Sequence, residues 1–249
     1  MAPPPDDALL LGALSAQWDL LVAAFAGLDP AAPTRCAGWT VRDLESHLAA
    51  TTRSLARLVH SPEPPTGLAL TGLAGWAAAL PGLAADVDAE VREAAATTGP
   101  GALAEAVEGA RVALVGADPD RLVQQRTGVH RLRDALRFRL IEGTVHGLDA
   151  GLAPDGTALR LVTRSFMEIL VSVAPGRSVE VRVPPHAAAQ CVEGPRHTRG
   201  TPPNTVEADP VTFLEVVTGR LTWADGVRVG RIRASGARAD LSGLLPLLR

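Results

Sequence analysis

Between residues 7 and 151 the chain is a series of Ala- and Leu-rich segments of helical length, cut apart by Pro and Gly. That punctuation leaves a helical bundle as the economical way to bury the apolar positions. Residues 7–28 form the first segment and stop at Asp29-Pro30. A turn-rich stretch, 33–39, precedes Thr40, which has the side chain of an N-cap. Asp43 lies three residues on and completes a capping box with Asp in place of Glu. Val41, Leu44, Leu48, Leu55 and Leu58 then recur at helical spacing as far as His60. Residues 61–67 are Pro-rich and read as loop. Residues 68–98 are helical by composition, with a break at Pro81-Gly82. Helices over 102–115 and 130–151, joined by a connector at 118–128, complete the series.

The pattern changes after 152–157, the best candidate boundary. Residues 159–173 read as a helix, and 178–183 alternate as a strand does. Short strands are expected at 190–192, 205–207 and 231–234. Asp209 caps a helix with Pro210 at its first position, stopped by Gly219. A last helix is expected over 239–248. The expected organisation is a mainly α bundle over 1–151 and a smaller α+β domain over 158–249.

Composition narrows the function. Formal net charge is -3 with no basic block, which argues against a nucleic-acid partner. No apolar run is expected to reach the roughly 18 residues of a membrane span. Residues 1–7 carry no positive charge, so a secretory leader is not expected and the expected location is cytoplasmic. Two cysteines, Cys36 and Cys191, make no disulfide framework. Every basic residue is Arg, and Tyr is absent as well as Lys, so lysine Schiff-base and tyrosine acid/base chemistry are excluded.

Three residues carry candidate chemistry. His47 lies near the Leu44/Leu48/Leu55 stripe and so faces the core side of its helix. Glu142 and His146 are one helical turn apart and point the same way. Arg139 and Asp149 continue that stripe. If the bundle brings His47 against the pair, two imidazoles and a carboxylate form an open three-ligand site of the kind zinc or non-haem iron uses. The same spacing also serves a plain ion pair and a core histidine. His60, His130, His186 and His197 read as helix-terminal or loop residues, Cys36 as packing or turn structure beside Trp39, and the four tryptophans as packing.

The run from Cys36 to Leu48, C-A-G-W-T-V-R-D-L-E-S-H-L, resembles a signature of the mycothiol-dependent maleylpyruvate isomerase family. Residues 139–149, R-L-I-E-G-T-V-H-G-L-D, are similar to its second signature. Residues 209–220 and 232–236 are similar to the sterol-carrier-like module of the same enzymes. The resemblance implies a DinB-like metal-binding four-helix bundle followed by a sterol-carrier-like domain. It implies zinc, or another divalent metal, held by His47, Glu142 and His146, with mycothiol as thiol cosubstrate. It points to Arg220, in the T-G-R motif, as the catalytic cation. Asp149 would orient a ligand imidazole, and Arg139 is expected to pair with Glu142, with a substrate anchor as its alternative role.

The implied chemistry is addition of a metal-activated thiolate to an electrophilic or unsaturated small molecule. In a cis-trans isomerase of a maleylpyruvate-like acid, the double bond becomes single, rotates, and expels the thiolate. In an S-transferase the sulfur stays attached. Arg220 would stabilise the developing negative charge in both. The alternatives are a binding module with a structural metal, or a thiol-independent zinc hydrolase on the same bundle.

Overall fold

The computed structural model describes residues 6–195 and 203–248, so the expected loop position of His197 lies outside the described residues. Helix α1 (Asp7–Phe25) starts from the Asp6 side chain, which accepts from the Ala8 N–H. Helix α2 (Val41–His60) starts with the expected capping box: Asp43 N donates to Thr40 Oγ1, and Thr40 N donates to Asp43 Oδ2. The expected break at Pro81-Gly82 appears as α3 (Leu73–Ala79), a 3-10 turn (Leu80–Leu83) and α4 (Ala84–Ala95). Helix α5 (Ala102–Leu114) follows.

The stretch 118–128 is more than a connector. Strands β1 (Leu122–Gln125) and β2 (Gly128–Arg131) form an antiparallel hairpin, and α6 (Leu132–Asp149) starts only after it. His130 therefore sits in a strand rather than at a helix start. Its Nδ1 lies 2.6 Å from the Thr71 carbonyl and its Nε2 2.9 Å from Thr127 Oγ1. Gly128 permits the approach: its φ is +123°, and a Cβ there would lie 2.1 Å from Thr71 Oγ1.

Two units result. The first runs to Gly72 and resumes over Gly82–Ala158; the second contains Leu73–Pro81 and the chain from Leu159 onward. In the first, α6 is the central helix, with 13 of its 18 residues buried, so it has no wet face to speak of. It packs on α1 and α2, and α2 packs on α4 and α5. Gly143 and Gly147 let α1 approach: an added Cβ would come within 3.3 Å of Leu21 and Gln17 respectively. Helix α1 corrects one expectation. It is 19 residues long and contains an 18-residue window of mean hydropathy 1.6, long and apolar enough by composition to cross a membrane. Leu10, Leu14, Gln17, Trp18, Leu21 and Phe25 are buried, which is what a core helix of a bundle requires.

In the second unit, α7 (Gly156–Val173) continues from Leu159, followed by β3 (Val179–Val183), β4 (Ala187–Cys191) and β5 (Thr205–Ala208). Helix α8 (Pro210–Val217) carries the expected Asp209 cap and Pro at its start. Helix α9 (Trp223–Arg228) and β6 (Ile232–Ser235) complete the elements. The sheet order is β4-β3-β5-β6, with β3 and β5 parallel and the other pairs antiparallel. Val179, Val181 and Val183 alternate inward, as does Val206 on β5. Two corrections apply. Thr222, capping with Asp225, starts a short helix that the sequence did not suggest. The helix expected over 239–248 is absent: the chain makes turns there, and Leu247 and Leu248 donate their N–H groups to the Val217 carbonyl. Pro246 lacks a donor and cannot sit inside a helix, which is why apolar composition misled.

Candidate metal centre

The centre lies wholly within the first unit, where the turn before α2, the body of α2 and the C-terminal half of α6 converge. His47 from α2 and His146 from α6 meet with ring centroids 5.0 Å apart in an edge-on arrangement. The Trp39 indole lies 5.3 Å from the His47 ring and 6.2 Å from that of His146. Trp39 is held by its Nε1–H, which donates to Asp88 Oδ1 on α4 at 2.8 Å. The two imidazoles that the spacing singled out are thus brought together.

Burial keeps the His47 pKa well below 6.5, and the positive potentials of His146 and Arg139 push the same way. The ring is therefore neutral at physiological pH, the form that ligates a metal. His146 is oriented from behind: its Nδ1 lies 2.9 Å from Asp149 Oδ2, and the Asp149 side chain is wholly buried. With Nδ1–H facing the carboxylate, the lone pair on Nε2 is available. This is the carboxylate–histidine arrangement that supports metal ligands.

Glu142 lies one turn before His146 on α6. Arg139 Nη1 comes within 2.7 Å of Glu142 Oε2, so the expected ion pair is present. Yet that oxygen is buried and has no hydrogen-bond partner. A buried carboxylate oxygen with an unfilled lone pair is costly unless something else satisfies it. Two imidazoles and a carboxylate are the donor types a zinc-type ion takes, but His47 and Glu142 are not among the described residues whose ligand atoms come within 4.8 Å of one another.

Cys36 is the residue that sequence reasoning missed. It lies in the expected turn, where Trp39 N donates to its carbonyl at 3.0 Å, but its Sγ also lies 3.1 Å from Asp149 Oδ2 and 3.8 Å from His146 Nδ1. Ligand atoms of Cys36, His146 and Asp149 all fall within 4.8 Å of one another, so these three could also hold an ion. No spacing signal could have found this, because the contact spans 110 residues. Arg220 belongs to the second unit. Its Nη1 donates to the Thr218 carbonyl at 2.9 Å, at the end of α8.

Residues 11–151 match the mycothiol maleylpyruvate isomerase N-terminal domain family. The chain belongs to that family. Residues 155–247 match the family described as bacterial SCP ortholog, which gives the second unit its sterol-carrier-type fold class. Two crystal structures of the mycothiol-dependent maleylpyruvate isomerase, one of a mutant, are similar in fold. Each gives a TM-score of 0.65 over 95% of both chains, at 14% identity for the mutant and 15% for the other. No curated protein sequence matches the chain. Membership of the maleylpyruvate isomerase family accords with the two signatures at 36–48 and 139–149, which both fall inside its matched span.

Proposed function

We propose that this chain is a zinc- and mycothiol-dependent enzyme, acting as a cis-trans isomerase on a maleylpyruvate-like unsaturated acid or as an S-transferase on an electrophile. The reading is carried by one observation: two imidazoles meet at 5.0 Å, one of them backed by a buried carboxylate. Membership of the isomerase family supports it. His47, Glu142 and His146 are the proposed ligands, leaving open the position that a catalytic metal needs.

A divalent metal held there supplies a Lewis acid that lets a thiol lose its proton near neutral pH. The chain's own groups prepare for that. Asp149 retains the Nδ1 proton of His146 and so fixes which nitrogen is offered. Arg139 holds the Glu142 carboxylate in place and offsets its charge. Burial and neighbouring positive charge hold His47 neutral. Trp39 packs beside both rings, with centroids 5.3 and 6.2 Å away. Arg220 is proposed as the cation that meets the substrate's developing enolate or its carboxylate.

The test is zinc content together with turnover of maleylpyruvate in the presence and absence of mycothiol. About one zinc per chain and turnover that requires the thiol are expected. Turnover undiminished without any thiol would favour a zinc hydrolase instead.

A further inference from the structure

We propose that Cys36 is a positioning residue for the metal centre: through Asp149, its thiol sets the orientation and tautomer of His146. The inference rests on the reading that His146 ligates a metal. It begins with the Asp149 side chain, which is wholly buried. A carboxylate without water must be satisfied by protein donors. Asp149 Oδ2 receives both His146 Nδ1, at 2.9 Å, and the Cys36 thiol, at 3.1 Å. A thiol is a weak donor to neutral acceptors, but here the acceptor is charged.

The backbone fixes this arrangement. Arg35 N donates to the Asp149 carbonyl at 3.0 Å, pinning the turn that carries Cys36 to the residue it supports. Within the turn, Cys36 N donates to Thr34 Oγ1 at 3.2 Å, and Thr34 Oγ1 donates to the Trp39 carbonyl at 2.9 Å. The backbone of Cys36 is therefore held in place beside Asp149.

Direction separates this role from that of a ligand. The sulfur lies 3.8 Å from Nδ1 of His146. Since Nδ1–H points at Asp149, a metal on Nε2 lies across the imidazole ring from the sulfur. A metal gripped by Cys36, Asp149 and Nδ1 would instead displace both hydrogen bonds. The geometry makes a chain of contacts, Cys36 to Asp149 to His146, that ends on the coordinating nitrogen.

The experiment measures zinc affinity by chelator competition in the full-length protein. It compares the natural sequence with Cys36→Ala, Cys36→Ser, Asp149→Asn, the Cys36→Ala/Asp149→Asn double variant and His146→Ala. Cys36→Ala should weaken zinc binding by about tenfold, the lower end for groups behind a ligand. Cys36→Ser retains a donor and should restore affinity to within about threefold. The double variant should be no weaker than Asp149→Asn alone, since both act through one carboxylate. The cobalt-loaded natural protein should lack a thiolate-to-cobalt charge-transfer band. Equal affinity of Cys36→Ala and the natural sequence overturns the proposal, as does independent addition of the two losses. A charge-transfer band lost in Cys36→Ser makes Cys36 a ligand and overturns it too. If Cys36→Ala does not fold, the serine and asparagine variants and the cobalt spectrum still decide. Unchanged zinc affinity in His146→Ala removes the ligand assignment itself, a distinct failure that takes this inference with it.

Discussion

His146→Ala should strip most of the zinc while the bundle stays folded, because the ring is partly exposed and its loss opens no large void. Metal analysis after dialysis checks it, and full retention would remove His146 from the ligand set. The two thiols should differ sharply in reactivity. Burial pushes the Cys191 thiol up to about 11, so at pH 8 it carries almost no thiolate. Cys36 is only partly covered. A chromogenic disulfide reagent at pH 8 should modify about one thiol in the native protein and about two in denaturant. Two modified rapidly under native conditions would contradict the burial. At this scale helical spacing, a local property, singled out His47, Glu142 and His146, and the structure brings the two imidazoles together. Cys36 was hidden because its role depends on a turn folding back on residues more than a hundred positions away, and no periodicity encodes that.

Thr40→Ala removes the hydroxyl half of the α2 capping box and should cost about 1 kcal/mol, read as a lower urea midpoint with an unchanged slope. The β1–β2 hairpin yields a pH prediction. Burial holds His130 below the 6.5 of a free imidazole, against the opposing pull of its bond to Thr71 and of Asp134. Above pH 6.5 both folded and unfolded rings are neutral, and stability is complete. As pH falls below 6.5 the unfolded chain takes up a proton before the folded chain does, so stability declines until the lower folded value is passed. His130→Asn should flatten the fall in melting temperature between pH 7 and pH 5. An identical slope in the two proteins would count against His130 as a source. The long helices were legible because caps, Pro stops and apolar spacing agree over many residues. The hairpin was not, since four-residue strands give too few alternations to register. The helix expected over 239–248 failed for the opposite reason: Leu-rich composition outvoted Pro246.

For the molecule as a whole, Arg220 tests whether the second unit takes part in chemistry. If it stabilises charge on the substrate, Arg220→Ala should lower kcat/KM on the order of a hundredfold with zinc content and melting temperature near those of the natural sequence. If it only caps α8 through Thr218, the change should cost about 1 kcal/mol or less of stability and leave the rate intact. The bundle and α+β classes were legible from the change of pattern near residue 152, and sheet order was not, because the parallel β3–β5 pairing is a long-range choice. One buried amide has a consequence for how the molecule is made. Gln17 Nε2 donates to the Gly143 carbonyl, and Gln17 Oε1 accepts from Asp155 N–H, so a single side chain on α1 joins positions 126 and 138 residues downstream. Ribosomes elongate at about 5–20 residues per second, so Gln17 is synthesised roughly 6–25 seconds before its partner carbonyl. During that interval the most apolar helix of the bundle has no α6 to cover it. A nascent chain arrested short of residue 155 should therefore recruit chaperones to its first helix, and release of a few further residues should end that dependence.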